Sequence, residues 1–418
     1  MTERNVLLIA FHAPPLRGIS GIQRTSCFAR YLPQFGWTPI VLSVRPAAYV
    51  RVAAMDPRCP DLPYTVHRVL AFDAQQHFSL FGRYPRWLSL PDRWASWQYF
   101  AVPKAMEIIR RRSIAAIWST FPIATAHKIG LAVAKRSGIP WIAEFRDPMW
   151  QGAYPPDPVV NRTWRTLEER VFHHAAHVVV TAPSAARQYA ERYPTFDPSR
   201  ISVIENGYDE EVFSRLEATA RLEPSHTRRD RDRLLVLHSG VIYPSERDPT
   251  QLFAALASIK THHPDIARRV HIVLRNTGHD ELLNGMIHAH GIRDLVDLAP
   301  PLGYSQALEE MMNADGLMLL QASNCNAQIP AKLYEYLRTR RPIIALTDPE
   351  GDTAATLRRA GSDLIARLDS QVEIEELLVK FIAQNDAGVT ARANTDFLTS
   401  FSRKQQAAQL AQLMESII

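Results

Sequence analysis

The sequence contains few cysteines and no long apolar segment. Its 418 residues include only Cys27, Cys59 and Cys325, whose spacing fits neither a disulfide framework nor a metal site. So few scattered cysteines favour a reducing compartment. No apolar stretch approaches the roughly 20 residues of a membrane-spanning helix, and residues 6–11 are too short for the apolar region of a signal peptide. We therefore expect a cytoplasmic protein, either soluble or peripheral at the inner face of a membrane.

Several signatures of ligand chemistry are also missing. The loop after the first predicted strand, residues 12–24, contains Gly18 and Gly21 but neither the GxGxxG spacing of a dinucleotide site nor the Gly-Lys-Ser/Thr of a P-loop. The only Asp-x-Asp, Asp230-x-Asp232, lies in a charged run that is typical of a solvated segment. No nucleic-acid-binding motif is present. We expect no metal, no cofactor and no nucleic-acid partner.

Length and composition indicate a two-domain globular protein. A chain of 418 residues is too long for one ordinary core. Its 46% hydrophobic and 22% charged residues are those of a soluble globular protein. The formal net charge of +5 suits an anionic substrate or an anionic membrane surface without requiring either.

Predicted strands and helices alternate in two series, which favours two doubly wound α/β domains. The first series has strands at 6–11, 39–43, 115–119, 141–144, 177–181 and 201–204, with helices at 22–34, 125–137, 161–175 and 184–193. The second has strands at 234–238, 270–274, 316–320 and 343–345, with helices at 249–260 and 330–339. Polar residues 218–233 are typical of a linker, and 403–418 of an amphipathic helix.

These patterns predict the domain boundaries. We expect an amino-terminal Rossmann-like domain over 1–205 and a second one over 206–395. The segment 396–418 should pack back toward the first domain. Ligands of such sheets bind beyond the carboxyl ends of the strands, so we expect the site in the loops there, at a cleft between the domains.

One strand of the first series ends in charged and aromatic residues. Glu144, Arg146 and Asp147 follow the strand at 141–144, and Phe145 and Trp150 flank them. Charged groups at this edge are candidates for a partly desolvated catalytic cluster. The alternative is a structural ion pair at a strand end.

Two segments of the second series suit a nucleotide diphosphate. In the first, Ser239 and Gly240 form a loop with Arg247, whose guanidinium can form bidentate hydrogen bonds with phosphate oxygens. The alternative for Arg247 is an exposed loop arginine.

The second segment runs from residue 328 to 342. Pro330 suits a first helical turn, and Lys332 and Glu335 share one helix face. They could bind a diphosphate and a ribose, while Leu333 falls on the core face. The alternative is a solvated lysine–glutamate pair.

Residues 72–112 combine aromatic and basic side chains, which suits a membrane interface or a lipid-phosphate acceptor. Arg83, Trp87, Trp94, Arg110 and Arg111 are the residues that we expect at this acceptor or membrane surface. The composition also fits single-stranded nucleic acid, but no RNA- or DNA-binding motif accompanies it. The alternative is a helical region that packs its aromatic rings into the core.

Five motifs in order resemble glycosyltransferase family 4, which has the GT-B architecture. They are the Pro-Pro…Gly…Gly loop at 14–21, Phe-Arg-Asp-Pro-x-Trp at 145–150, Asn-Gly-Tyr-Asp at 206–209, His-Ser-Gly at 238–240 with Arg247, and Pro-x-Lys-Leu-x-Glu-Tyr at 330–336. The resemblance implies a GT-B fold in which the second domain binds a nucleotide-sugar donor and the first binds the acceptor. It also implies retention of configuration without a metal ion.

The resemblance also implies residue roles. Glu335 would hold the ribose, Arg247 and Lys332 the diphosphate, and the Gly18–Gly21 loop would close over the diphosphate and sugar. The expected donor-binding set is Gly18, Gly21, Ser239, Gly240, Arg247, Pro330, Lys332, Leu333 and Glu335. The expected catalytic set is Arg146, Asp147, Arg247 and Lys332.

The chain departs from the family pattern at three positions. Ala327 stands eight residues before Glu335, where members often carry a second glutamate that contacts the sugar. Val241 follows Gly240 where many have arginine, and Arg146-Asp147 stands where a histidine often follows the strand. Members with this variant pattern typically act in surface-polysaccharide or lipid-linked glycan assembly.

We therefore predict a hexosyl-type transferase that uses a UDP- or GDP-linked sugar and a glycan or lipid-linked acceptor, in cell-surface polysaccharide synthesis. The alternatives are a nucleotide-sugar epimerase of the same fold and a non-catalytic GT-B partner subunit, the latter suggested by Ala327.

Overall fold

The computed structural model describes residues 4–14, 20–49, 62–81, 83–222, 233–388 and 395–418. The chain forms two compact units. Unit 1 comprises Met1–Glu205 and Arg403–Ile418, and unit 2 comprises Asn206–Ser402. Our sequence-based boundaries lie after residues 205 and 395.

Unit 1 is built on a seven-stranded parallel sheet. Its strands are β1 (Arg4–Ile9), β2 (Trp37–Val44), β3 (Thr65–Val69), β4 (Ile114–Thr120), β5 (Trp141–Phe145), β6 (His177–Val180) and β7 (Ile201–Val203). They pair in the order β3-β2-β1-β4-β5-β6-β7. Parallel strands covered on both faces are nearly continuous apolar runs, and Val6, Leu7, Leu8 and Ile9 of β1 are accordingly all fully buried.

Helices follow the strands of unit 1. They are α1 (Ser20–Tyr31), α2 (Ala74–His77), α3 (Trp97–Arg111), α4 (Ala124–Ser137), α5 (Pro158–His174) and α6 (Pro183–Arg192). Local sequence sets their ends. The Asp157 side chain accepts hydrogen bonds from the first free amides of α5, and Pro158 occupies its first turn. Gly138 ends α4 with a φ of 72°, a left-handed conformation that favours glycine.

Unit 2 is a second parallel α/β unit. Its strands are β8 (Leu234–Ser239), β9 (Val270–Arg275), β10 (Val296–Ala299), β11 (Gly316–Leu320), β12 (Ile343–Leu346) and β13 (Ile365–Ala366), in the order β10-β9-β8-β11-β12-β13. Its helices are α7 (Glu210–Leu222), α8 (Thr250–His262), α9 (Pro264–Arg269), α10 (Asp280–Ala289), α11 (Tyr304–Asn313), α12 (Ala331–Thr339), α13 (Asp352–Arg359), α14 (Gln371–Asp386) and α15 (Thr395–Thr399). The predicted pair of doubly wound domains is confirmed.

The final helix, α16 (Arg403–Ser416), belongs to unit 1 and packs against α1. Its apolar face enters the unit 1 core through Ala407, Leu410 and Met414. Burial of these side chains holds the carboxy-terminal helix on the amino-terminal fold.

The structure corrects the predicted linker at 218–233. Its first residues continue helix α7 to Leu222, and residues 223–232 lie outside the described residues. The helix is amphipathic: Phe213 is fully buried, and Arg338 of α12 forms ion pairs with Glu210 and Glu217 at 2.6 and 2.8 Å. Its polar exposed face is what suggested a linker.

Candidate functional site

Glu144, at the end of β5, forms a buried ion pair with Arg24 of α1. Arg24 donates from Nε and Nη2 to Glu144 Oε1 at 2.9 and 2.8 Å, and the Thr120 hydroxyl donates to Oε2 at 2.8 Å. Arg24 also donates to the carbonyl oxygens of Ile204 and Glu205. Both charged side chains are almost completely buried and fully partnered. The structural alternative therefore applies to Glu144, and its partner is Arg24 rather than Arg146.

Arg146 is only partly used by the protein. Its Nε donates to the Phe121 carbonyl oxygen at 2.6 Å, whereas its Nη1 and Nη2 have no hydrogen bond or ion pair within the described part of the chain. Its backbone carbonyl accepts from the Thr181 hydroxyl at 2.6 Å. The guanidinium lies against Gly21, where a Cβ would be 2.5 Å from Nη1. Gly21 is therefore required sterically at the start of α1.

Asp147 is half-buried and has neither a hydrogen bond nor an ion pair in the described structure. Burial raises the pKa of its carboxyl, and the neighbouring Arg146 charge lowers it by a smaller amount. Arg146 experiences the reverse: burial lowers its pKa and Asp147 raises it. Ionisable groups perturbed in this way are enriched at functional sites.

The segment after Asp147 is rigidly held. Trp150 donates its backbone N–H to Glu168 at 3.0 Å and its indole N–H to Asn161 at 3.0 Å. Glu168 is fully buried and also accepts from Arg192 at 2.7 Å. This network anchors the loop, and the ends of Arg146 and Asp147 have no hydrogen-bond or ion-pair partner among the described residues.

His12 joins this region and was missed as a site residue by sequence reasoning. It follows β1, and burial together with the Arg146 charge lowers its pKa to about 4. The imidazole is therefore neutral at physiological pH. A histidine directly after a buried strand was the available signal.

The expected acceptor or membrane residues divide into two groups. Arg83, Arg110 and Arg111 are exposed, and the Trp87 ring is 69% exposed. Trp94 is half-buried, with its ring centroid 4.7 Å from that of Phe11. The structure thus corrects Trp94, which packs against Phe11 just after β1, as the core alternative predicted for such rings.

Further apolar side chains surround the exposed residues. Phe81 is 96% exposed and Leu80 is 71% exposed. Phe72 contacts both Phe78 and Phe100 with ring centroids 5.9 Å apart, which brings the residue 78–81 segment next to α3. We call this region, with Arg83 and Trp87, the aromatic–basic surface. No helix in the described ranges is long and apolar enough to cross a membrane.

In unit 2, the β8 loop and helix α12 are joined directly. Ser239 donates its backbone N–H to the Tyr336 hydroxyl at 2.9 Å. Gly240 follows with a φ of 153°, which other residues rarely adopt. Arg247 donates from Nη1 to the Val241 carbonyl oxygen, while its Nε and Nη2 have no partner among the described residues. The half-buried guanidinium therefore keeps donors for a ligand.

Glu335 is buried and held by two side chains of unit 2. Its Oε2 lies 3.0 Å from Lys332 Nζ, and its Oε1 accepts from the Tyr304 hydroxyl at 3.0 Å. Glu335 is 5% exposed, whereas the Lys332 side chain is 36% exposed. The pair is therefore not a solvated surface pair, and Tyr304 is a contributor that sequence reasoning missed.

His238 connects the two predicted cations. Its Nδ1 donates to the Met318 carbonyl oxygen at 3.0 Å. Burial is the main cause that lowers its pKa to about 4, and the charges of Arg247 and Lys332 contribute to this lowering. Both cations thus act on one neutral imidazole, so the β8 loop and the start of α12 converge. We call Ser239, Gly240, Arg247, Lys332 and Glu335 the donor cluster.

Three expected donor residues need correction or fall outside the structure. Leu333 is fully buried and its backbone N–H donates to the Pro330 carbonyl oxygen, so it supports the core rather than a ligand. Pro330 precedes α12 instead of lying in its first turn. Gly18 lies outside the described residues.

The loop that contains Ala327 is held by side-chain hydrogen bonds. Gln321 donates to the carbonyl oxygens of Cys325 and Gln328, each at 2.8 Å, and Asn326 donates to Asp348 at 2.6 Å. Ala327 itself is 9% exposed. The position therefore offers a ligand no carboxylate.

No group of three or more His, Cys, Asp or Glu side chains in the described ranges is arranged to hold a metal ion. Asp230 and Asp232, the Asp-x-Asp of the charged run, lie outside those ranges.

Residues 25–212 match the family model described as Glycosyltransferase Family 4. The resemblance to glycosyltransferase family 4 is confirmed. The match runs from α1 into α7 and covers just under half of the chain, including the Arg146–Asp147 loop. A comparison with curated proteins found no significant match for this chain.

Solved structures extend the likeness across the whole chain. An α,α-trehalose 6-phosphate synthase from Burkholderia multivorans is 13% identical, with a TM-score of 0.72 and coverage of 100% of this chain and 97% of that one. A sucrose-phosphate synthase from Thermosynechococcus elongatus is 14% identical, with a TM-score of 0.70 and coverage of 99% and 98%.

A putative UDP-N-acetylglucosamine 2-epimerase from Listeria monocytogenes is 12% identical, with a TM-score of 0.61 and coverage of 99% and 96%. At these identities the likeness concerns the fold, and the predicted GT-B fold is confirmed.

Proposed function

We propose that this chain is a retaining glycosyltransferase of the hexosyl type that acts without a metal ion. Its donor is a UDP- or GDP-linked sugar bound by unit 2. Its acceptor is a glycan or lipid-linked molecule bound by unit 1, in cell-surface polysaccharide synthesis. The observation that carries this proposal is the donor cluster, in which Glu335 is buried beside Lys332 and the Arg247 loop.

The residues of the donor cluster suit different parts of the donor. The Glu335 carboxylate retains acceptor capacity for ribose hydroxyls, because each oxygen accepts one hydrogen bond from the protein and has a second lone pair. Lys332 and the Arg247 nitrogens that have no partner among the described residues, Nε and Nη2, supply cationic donors for the diphosphate. The sugar contact that Ala327 lacks must come from other groups.

The chemistry follows from the leaving group. Breaking the bond between the sugar and the nucleoside diphosphate develops negative charge on the departing phosphate. Fixed cations that meet this charge stabilise the transition state more than the ground state. We propose that Arg247 and Lys332 do this, and that Asp147 orients the acceptor hydroxyl.

A donor screen tests the proposal. Full-length protein is incubated with UDP- and GDP-sugars and candidate acceptors, and nucleotide release is measured. Arg247→Gln should lower kcat by about 10²–10³-fold, as expected for the loss of one transition-state donor. Arg268→Gln, an exposed arginine of unit 2, is the matched control and should not change kcat.

Two other outcomes would replace the proposal. Likeness in fold to a putative epimerase motivates the first: interconversion of the donor with no acceptor present would indicate a nucleotide-sugar epimerase. The second is nucleotide binding with no transfer or interconversion under any pairing. That result would indicate a non-catalytic subunit and would explain Ala327.

We further propose that the protein is cytoplasmic and binds the inner face of the membrane through the aromatic–basic surface. Exposed Phe81 and Trp87 can enter the interfacial region while Arg83 and Arg110 meet anionic headgroups. In liposome flotation with anionic vesicles, Phe81→Ser with Trp87→Ser should abolish binding. Leu282→Ser, an exposed residue of unit 2, should leave it unchanged.

A further inference from the structure

Arg146 is a cation whose two terminal nitrogens have no hydrogen-bond partner among the described residues. Its Nε is fixed on the Phe121 carbonyl oxygen at 2.6 Å, so the plane of the guanidinium is set by the protein. The two terminal nitrogens bind no group in the described structure. Holding a half-buried guanidinium in one orientation with its outer donors unsatisfied costs desolvation free energy, which an anionic ligand can offset.

The chain also makes room for this side chain. Gly21 lies so close to the guanidinium that a Cβ would be within 2.5–2.8 Å of three of its atoms. The Thr181 hydroxyl fixes the Arg146 backbone carbonyl, and the Trp150–Glu168 hydrogen bond holds the following residues. The position of Arg146 is thus determined from several directions, as expected for a residue that must meet a ligand at a set geometry.

The local charge balance favours an anion with more than one negative charge. Burial is the main cause that lowers the pKa of Arg146; the charges of Arg24 and Arg403 lower it as well, and the carboxyls of Asp147 and Glu144 raise it. Glu144 is committed to Arg24. Burial raises the pKa of Asp147, which reduces its capacity to balance Arg146. A phosphate monoester carries about −1.5 to −2 at neutral pH and has oxygens that match a guanidinium fork.

We propose that Arg146 binds the phosphate group of a phosphorylated acceptor. This inference rests on the proposed function and narrows its acceptor to a phosphate-bearing molecule. The phosphate can belong to a soluble sugar phosphate or to a lipid phosphate at a membrane surface, since both present the same group to the guanidinium. Arg146 is then a binding residue for the acceptor, and Asp147 stands beside it at the acceptor end.

The first test uses the unmodified full-length protein. Arginines are labelled with phenylglyoxal, and the rate at each position is followed by peptide mass spectrometry. Inorganic phosphate should lower the rate of labelling at Arg146 by about tenfold or more, because a guanidinium that binds phosphate through charge-assisted hydrogen bonds cannot react with the reagent. Acetate at equal ionic strength should not do so. Arg136, an exposed arginine at the end of α4, should be labelled at the same rate in both salts.

Variants provide the second test. Binding of glucose 1-phosphate and of vesicles that contain phosphatidic acid is measured for wild type, Arg146→Lys, Arg146→Gln and Arg136→Gln. Loss of the sugar phosphate in both Arg146 variants indicates a soluble acceptor, and loss of the vesicles alone indicates a lipid phosphate. Either result supports the site. The lysine variant keeps the positive charge but lacks the paired N–H donors of the guanidinium. The labelling experiment uses wild-type protein, so it does not depend on whether a variant folds.

Three results would overturn the inference. They are equal protection by acetate and phosphate, ligand binding that does not change in either Arg146 variant, and stronger protection of Arg146 by UDP or GDP than by phosphate monoesters. The last would make Arg146 a donor contact. Nucleotide titration of the same samples separates this inference from the proposed function. Nucleotide binding without phosphate protection would contradict this inference and leave the proposed function standing. Phosphate protection without nucleotide binding would contradict the proposed function, and only the phosphate contact of Arg146 would remain.

Discussion

The two units treat their charged side chains differently at the ends of their strands. In unit 2, Glu335 is already engaged by Lys332 and by the Tyr304 hydroxyl, each at 3.0 Å. In unit 1, Arg146 and Asp147 keep their outer atoms free of any partner among the described residues. A preassembled carboxylate suits a ligand part that is always the same, such as a ribose. Unpaired charges suit a group that brings its own counter-charge.

The contrast also exists within unit 1. Glu144 and Arg146 are two residues apart, yet Glu144 accepts from Arg24 and Thr120, while among the described residues Arg146 donates only from Nε. The first pair stabilises the fold and the second residue is available for binding. Breaking each should therefore affect different measurements.

The largest effect is expected at the buried pair. Glu144→Gln leaves the Arg24 charge buried without a counter-ion, so the free energy of unfolding should fall by about 3–5 kcal/mol. Glu169→Gln is the control, because Glu169 pairs with Arg165 on the surface at 3.0 Å and should contribute less than about 0.5 kcal/mol. Denaturant unfolding measures both. If the free energy of unfolding fell by similar amounts in the two variants, the Arg24–Glu144 pair would not be a special source of stability.

The next effect is expected at Gly21. Gly21→Ala introduces a Cβ that must displace the Arg146 guanidinium, and a shift of about 1 Å at such a group can reduce turnover by about 100-fold. Gly285→Ala in α10 is the control, because no atom lies within 4 Å of its Cβ. It should raise stability by up to about 1 kcal/mol through helix propensity and leave turnover unchanged. Wild-type turnover in Gly21→Ala would contradict the role of Arg146.

The smallest effect concerns Asp147. Asp147→Asn removes an unpaired half-buried charge, so the free energy of unfolding should rise by roughly 1 kcal/mol at about pH 7 while turnover falls. Because burial raises the folded-state pKa of Asp147, the folded state binds more protons than the unfolded state above the ordinary value of 3.8. This carboxyl therefore makes the folded state less stable as pH rises through the interval between the two pKa values.

The gain in stability should accordingly disappear below that interval. Unfolding measured at successively lower pH should bring wild type and Asp147→Asn together. Asp265→Asn, at an exposed aspartate of unit 2, should match wild type throughout. A gain that persists at low pH would mean that Asp147 is not destabilised by burial.

Much of the fold could be predicted from the sequence because buried parallel strands are short apolar runs between turns. The predicted strand at 316–320 coincides with β11. The strands β3, β10 and β13 were missed. No residue of β3 is buried and it contains His67 and Arg68, β10 is a four-residue segment that contains Asp297, and β13 contains two residues. Helix α7 was partly assigned to a linker because its exposed face is polar.

The site could be predicted only where its residues are neighbours in sequence. Lys332 and Glu335 are three apart on one helix, and their pairing follows from helix geometry. Other contacts that define the role of a site residue join residues far apart in sequence. Tyr304 is 31 residues from Glu335, and Arg24 is 120 residues from Glu144. Helical or strand periodicity does not determine such contacts, because they arise from how the elements pack.

Calorimetric titration of UDP and GDP into wild type, Glu335→Ala and Glu309→Ala tests the donor cluster most directly. Glu309 is an exposed glutamate of α11 and serves as the matched control. We predict that one nucleotide binds wild type and Glu309→Ala equally, and that Glu335→Ala weakens its binding by about tenfold or more, as expected for the loss of a charged acceptor of ribose hydrogen bonds. Equal affinity in all three proteins would contradict the assignment of the donor cluster.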